Sequence, residues 1–220
     1  MNVPEYEVKI DDALESALGI KSRIANCEEA VKAYAKSSGT VLTSKEMAEA
    51  RNNAKRGTSI WRHGSYVREG VVCFPGVSTR YLFVRDSPVL SNVEAAYEAH
   101  KQARKYILED NETTAILEYA TFGNSDVHWE VSPRTIPTDK FGKDPLTVWL
   151  FKEEAEKYGL ELKLQNIDEV QIGLDPKEVV DRNDKPYASM LWISNIPNKC
   201  SIVNYHDLDP YGSYIVRMKG

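Results

Sequence analysis

Residues 58–74 read TSIWRHGSYVREGVVCF, and the way this stretch divides decides the fold of the first half of the chain. One division is a helix over 58–68, with Ile60, Gly64 and Val67 facing inward at helical intervals and Gly70 ending it. Gly64 then falls in mid-helix, where glycine costs about 1 kcal/mol relative to alanine. The rival division makes 59–63 and 66–72 two arms of a β-hairpin that turns at Gly64-Ser65. From Val71 onward both divisions agree. Residues 71–74 and 80–84 are apolar and rich in β-branched and aromatic side chains, and Pro75-Gly76 separates them, which predicts a two-stranded hairpin.

Upstream, Ile24, Ala30, Val31 and Tyr34 recur at intervals of three and four. They predict a helix over 11–37, interrupted near Gly19 and stopped by Ser37-Ser38-Gly39. Thr43 followed by Glu46 has the pattern of a capping box opening a helix over 44–55. If 58–68 is helical, the segment 22–86 resembles a winged helix-turn-helix with the 71–84 hairpin as its wing. That resemblance implies docking of the third helix in a major groove. Ser59, Arg62 and His63 would then reach base edges, with Arg51, Lys55, Arg56 and Arg80 on phosphates.

The charge distribution points the same way under either division. The chain carries a net −5, yet residues 51–105 hold ten Lys/Arg against four Asp/Glu, a local +6 that leaves −11 for the remainder. Trp61, Tyr66, Phe74, Tyr81 and Phe83 interleave with these cations, a combination that suits single-stranded nucleic acid or RNA. The expected contacts are Arg51, Lys55, Arg56, Arg62, His63, Arg68 and Arg80.

Downstream, Ser91 and Glu94 predict the start of a helix over 92–108. Residues 114–122 and 126–131 read as a hairpin around Gly123-Asn124. Asp144-Pro145 supplies N-cap and N1 chemistry for a helix running to Tyr158-Gly159, and 160–164 alternates like a strand. Asp175-Pro176 opens a short helix; 187–194, 201–205 and 213–218 read as strands. The expected class is α+β: a helical N-terminal part with a β-hairpin, then a mixed, mainly antiparallel sheet with two or three helices. Asp86-Ser87-Pro88 suggests a division into 1–88 and 89–220, with a single domain as the other reading.

Chemical motifs are sparse. Asp126, His128 and Glu130 share one face of the 126–131 strand, and His206-Asp207-Leu208-Asp209 is a second dense set. Were the two adjacent, they would supply nitrogen and oxygen ligands for a hydrolytic metal. The same residues also suit a half-exposed strand and a turn. Phosphate-loop, dinucleotide, GxSxG and HExxH motifs are absent, so no catalytic residue, metal or cofactor is assigned. Cys27, Cys73 and Cys200 form neither a disulfide framework nor a CxxC pair. No apolar run approaches the ~20 residues of a membrane span, and no basic leader precedes an apolar core, which makes the cytoplasm the default compartment. The resulting expectation is a non-enzymatic protein that contacts DNA or RNA through 51–105. The alternatives are an inhibitor or adaptor of the kind viruses encode, acting on a partner protein, and thirdly a metal-dependent hydrolase.

Overall fold

The computed structural model describes residues 20–24, 40–56, 58–62, 64–76, 80–102, 104–122, 125–196, 199–205 and 213–217. Within it the 58–74 stretch becomes one helical turn followed by a long strand. Strands β1 (Ile20–Ile24) and β2 (Thr40–Val41) precede helix α1 (Ser44–Asn53) and the single turn α2 (Ser59–Arg62). Then β3 (Ser65–Cys73) and β4 (Tyr81–Val84) form the expected antiparallel hairpin, with Cys73 opposite Tyr81 and Gly70 opposite Val84. Next come α3 (Pro88–Ser91), α4 (Val93–Lys101), β5 (Tyr106–Ile107), α5 (Asp110–Thr121), β6 (Val127–Glu130) and β7 (Arg134–Pro137). A 3-10 segment, Thr138–Lys143, leads into α6 (Pro145–Phe151), and a shorter one, Lys152–Glu154, joins α6 to α7 (Ala155–Leu164). The chain continues through β8 (Glu169–Gly173), α8 (Lys177–Val180), β9 (Tyr187–Ile196), β10 (Lys199–Tyr205) and β11 (Ser213–Arg217).

Among the described residues no recognition helix and no winged helix-turn-helix form. Gly64 lies against the indole of Trp192, so close that a Cβ there would sit 2.3 Å from the ring. From Ser65 the chain is captured by β9: Val67 pairs with Leu191 and Val71 with Ser189. All of β3 except Arg68 is buried, and burying each Val-sized side chain contributes roughly 1.5 kcal/mol or more, which outweighs a weak helical preference broken by glycine. The rival hairpin is half right. Its second arm is β3, while its first arm is the turn α2.

Among the described residues the strands form a single curled sheet in the order β1-β11-β3-β9-β10-β8-β7. One edge of β3 is shared, pairing in parallel with β11 at Ser65 and Tyr66 and antiparallel with β4 from Gly70 to Cys73. β6 extends the sheet beyond β4, and strands from both sides of residue 88 belong to it. On one face, Met47, Ala48 and Ala50 of α1, Leu146, Leu150 and Phe151 of α6, and Tyr158 and Leu162 of α7 pack on Val67, Phe83, Leu191 and Ile193. On the other face, Tyr66, Val72, Leu82 and Met190 are covered by Val89, Ala96 and Leu108, with Ile116 and Ala120 of α5 at the margin.

Local chemistry holds where it is strong. Glu46 N–H donates to Thr43 Oγ1 (3.2 Å) while Thr43 N–H donates to Glu46 Oε2 (2.9 Å), which is the expected capping box. Asp144 Oδ1 accepts from Leu146 N and Thr147 N, both at 3.1 Å, at the start of α6. Elsewhere packing overrides pattern. Ile20–Ile24, expected to be helical, is a strand antiparallel to β11; the remainder of 11–37 lies outside the described residues. Residues 114–121 belong to α5, opened by a Glu109–Glu112 capping box, and not to a strand. Residues 160–164 continue α7, because Tyr158 and Leu162 lie one turn apart and bury together. The helix expected over 92–108 ends at Lys101, since Tyr106 and Ile107 pair with Ala188 and Tyr187.

Candidate recognition surface

Most of the central cations whose side chains are described are buried or ion-paired. Arg51 is 0% exposed, and its guanidinium donates to Ile60 O (3.0 Å), Tyr158 Oη (2.6 Å) and Ile193 O (3.4 Å). Trp61 stacks on Tyr158 with ring centroids 5.7 Å apart, and burial pushes the Tyr158 phenol up to about 12. Arg56 pairs with Glu161 (2.8 Å), Arg68 with Asp86, Arg80 with Asp181, and Lys105 with Asp175 (3.2 Å). Lys55 is exposed. Arg62 closes α2, and its side chain, like all of His63, lies outside the described residues. Glu161, Asp175 and Asp181 all come from the acidic remainder, so partners elsewhere in the fold meet three charges of the +6 excess. With Arg51 in the core and a single turn, α2, in place of the expected recognition helix, the described members of the expected contact set are not arranged as the nucleic-acid expectation required.

Other ionisable clusters are structural. Asp175 Oδ2 accepts from Tyr187 Oη (2.7 Å), Lys105 Nζ (3.2 Å) and Asn204 Nδ2 (3.3 Å), and the Asp175 N–H donates to Asn204 Oδ1 (3.0 Å). Cys73 sits beside Asn204 within this network. Burial pushes its thiol, and that of Cys200, up to about 12, far from the thiolate a nucleophile needs.

The acids of β6 are also engaged. His128 Nε2 lies 3.2 Å from Glu130 Oε1. Arg134 donates to Glu130 Oε1 (2.8 Å) and to Asp144 at Oδ2 (2.5 Å) and Oδ1 (3.0 Å). Burial works to raise the Glu130 carboxyl, but the hydrogen bonds from His128 and Arg134 prevail and hold it below the ordinary range. Those two carboxylates hold the Arg134 guanidinium above its usual value. Among the described residues no group of three or more His, Cys, Asp or Glu side chains is placed to hold a metal ion. His206, Asp207 and Asp209 lie outside them. Among the described residues, too, no helix is long and apolar enough to cross a membrane.

The opposite face of β6 is different. Phe122 at the end of α5 is 86% exposed, Val131 62%, Tyr119 46% and Trp129 39%. In the same two elements Ile116, Ala120 and Val127 pack against the core, and Trp129 lies against Phe74 with ring centroids 5.7 Å apart. Ser125 and Asp126, just before β6, are held from the side: Trp149 Nε1 donates to Ser125 O (2.8 Å), and Tyr119 Oη donates to Asp126 Oδ2 (2.9 Å). Among the described residues β6 pairs with β4 alone, which leaves its outer edge unpaired. The alternation Val127, Trp129, Val131 is legible in the sequence. Attention to the polar face, Asp126, His128 and Glu130, hides it, and reading 114–122 as a strand removes the helix that delivers Phe122.

No protein-family model matches the chain, and no curated protein matches it. A solved structure described as the accommodation of massive sequence variation in Nanoarchaeota by the C-type lectin fold superposes with a TM-score of 0.67. The match covers 90% of this chain and 97% of that one at 16% identity. The likeness shows a C-type lectin fold, an α+β architecture without a winged helix-turn-helix, and it overturns the expectation of nucleic-acid binding.

Proposed function

We propose that the chain is a binding protein that uses its C-type lectin scaffold to present the α5–β6 surface to a partner protein. The observation that supports this reading is that Tyr119, Phe122, Trp129 and Val131, on the two sides of the α5–β6 connection, are all exposed, and that among the described residues the outer edge of β6 is unpaired. Apolar surface of this kind loses free energy in water and regains it when covered, and aromatic side chains dominate the binding energy of protein interfaces. The open edge adds backbone donors and acceptors that a partner's strand satisfies.

Carbohydrate is the other ligand class for a C-type lectin fold. Sugar hydroxyls need polar groups ready to pair beside a stacking ring. Here the neighbouring Ser125 carbonyl and Asp126 carboxylate already accept from Trp149 and Tyr119. The similar structure is described as accommodating massive sequence variation, which fits a scaffold whose buried core stays while exposed positions such as Phe122 specify the partner.

Photo-crosslinking tests the reading. A crosslinking residue is placed at Phe122, and a control at the exposed Lys163 of α7, in the full chain exposed to lysate of its source cells. The expected result is a protein captured from 122 and not from 163. Once purified, that protein binds the double variant Phe122→Ser/Val131→Ser at least tenfold more weakly than the parent chain. Equal binding by the variant, or binding displaced by free glycans, rejects it.

A further inference from the structure

We infer that Arg85 is a positioning residue for the α5–β6 surface, and that the charge on the buried Glu69 controls how firmly Arg85 holds it. The inference rests on that surface being the recognition surface. It begins at the irregularity in β3, where the register shifts between Val67 and Gly70 and Glu69 is directed into the interior. Glu69 Oε2 accepts from Ser44 N (2.8 Å) and Ser44 Oγ (3.0 Å) at the start of α1. Its second oxygen, Oε1, has no hydrogen bond and faces Arg85 Nη1 at 3.6 Å, an electrostatic contact too long for a good hydrogen bond.

From Arg85 the connection runs outward. Its guanidinium lies 3.7 Å from the centroid of the Trp149 ring, and Nη2 donates to Trp149 O at 2.5 Å. Trp149 Nε1 in turn donates to Ser125 O, just before β6. The sequence carboxylate, guanidinium, indole, carbonyl therefore links the β3 irregularity to the exposed aromatics.

The charges around Glu69 leave Arg85 as the cation that answers it. Lys45 and Glu46, in the first turn of α1, are engaged by Glu153 and Thr43. Arg68, next along β3, pairs with Asp86. Ser87 and Ser189 contribute neutral groups from the following loop and from β9. On the far side Asp126 also draws on Arg85, and His128 stands with its ring 6.2 Å from that of Trp149. Burial dominates at Glu69, outweighing the Ser44 hydrogen bonds and Arg85, and pushes its carboxyl up to about 7. Burial likewise lowers the Arg85 guanidinium from its ordinary value, opposed by Glu69 and Asp126. Once Glu69 takes a proton, Arg85 loses that counter-charge and among the described residues keeps the attraction of Asp126, and its hold on Trp149 and on Ser125 slackens.

The experiment is an NMR titration of the full chain from pH 5 to pH 8.5, following the Trp149 indole N–H and the Glu69 side-chain carboxyl carbon together. The Trp149 resonance is identified by its loss in Trp149→Phe. Both signals are expected to move with one shared midpoint near 7. The Trp149 shift should vanish in Glu69→Gln and persist in His128→Gln. A Trp149 resonance that stays flat while Glu69 titrates, one that still moves in Glu69→Gln, or a Glu69 carboxyl ionised down to pH 5 overturns the inference. If Glu69→Gln does not fold, the two midpoints in the parent chain decide the question, because midpoints more than one pH unit apart are incompatible with the coupling. No partner enters this measurement, so its failure leaves the proposed function standing, and a failed crosslinking experiment leaves the coupling standing.

Discussion

The arginine-bearing centre of the chain and the α5–β6 surface use their side chains in opposite senses. In the centre, groups that look made for an external polyanion turn inward or pair internally: Arg51 holds three buried oxygens, and Arg56, Arg80 and Lys105 meet carboxylates from the other half of the chain. At α5–β6, side chains that look made for a core stay outside, with Phe122 the extreme case. The contrast teaches that a charge excess counted along a sequence becomes a surface only if the fold leaves it unmatched. Likewise, an apolar residue becomes core only if some element arrives to cover it.

The most damaging test of the inward half is Arg51→Ala. It strips hydrogen bonds from two buried carbonyls and from the Tyr158 hydroxyl, which keeps Asn195, and at roughly 1–3 kcal/mol for each carbonyl that loses its partner the cost is expected to be about 4 kcal/mol in urea unfolding. A cost well under 1 kcal/mol would show that Arg51 is not a core element. Next in size is a pH effect at Glu69. Its carboxyl is raised in the folded chain from 4.5 to about 7, so between those values the folded state binds the proton more tightly than the unfolded one. This group's contribution therefore favours folding fully below 4.5, weakens as pH rises, and is gone above about 7. At ~1.4 kcal/mol per pKa unit, unfolding free energies at pH 5 and pH 8 should differ by up to about 3 kcal/mol more in the parent chain than in Glu69→Gln.

Gly64→Ala comes third. Its methyl would overlap the Trp192 indole, and forcing the two apart is expected to cost about 2 kcal/mol, read from the same denaturation curves. The smallest effects separate the two regions most cleanly. Arg56→Ala removes an exposed ion pair, and Phe122→Ser removes a side chain that is mostly in water; neither should move the urea midpoint. Only Phe122→Ser, alone or with Val131→Ser, should weaken partner binding.

Much of the strand content could be read directly. The β3–β4 hairpin, β6, β9 and β10 stand close to where alternation and turn residues place them, because Pro75-Gly76 and runs of β-branched residues act over a few bonds. β5, β7 and β8 are too short or too polar to announce themselves, and they exist because β9, β8 and β10 offer them edges. The proposed α5–β6 surface is half legible in the sequence. Val127, Trp129 and Val131 alternate plainly, but the exposure of Trp129 and Val131 depends on α5 stopping at Thr121 and on nothing among the described residues pairing with the outer edge of β6.

Taken alone, the sequence determined those features whose physics is local: the Thr43–Glu46 capping box, the Asp144 N-cap and the turn at Pro75-Gly76, each made by groups within a few residues of one another. Tertiary structure decided whether 58–68 would be a helix, since the answer lay in Trp192 and in the β9 partners of Val67 and Val71. It also decided which charges would remain for a partner. The ion pairs of Arg56, Lys105 and Arg80 join residues distant in sequence, and no count along the chain reveals that Glu161, Asp175 and Asp181 are the carboxylates they meet.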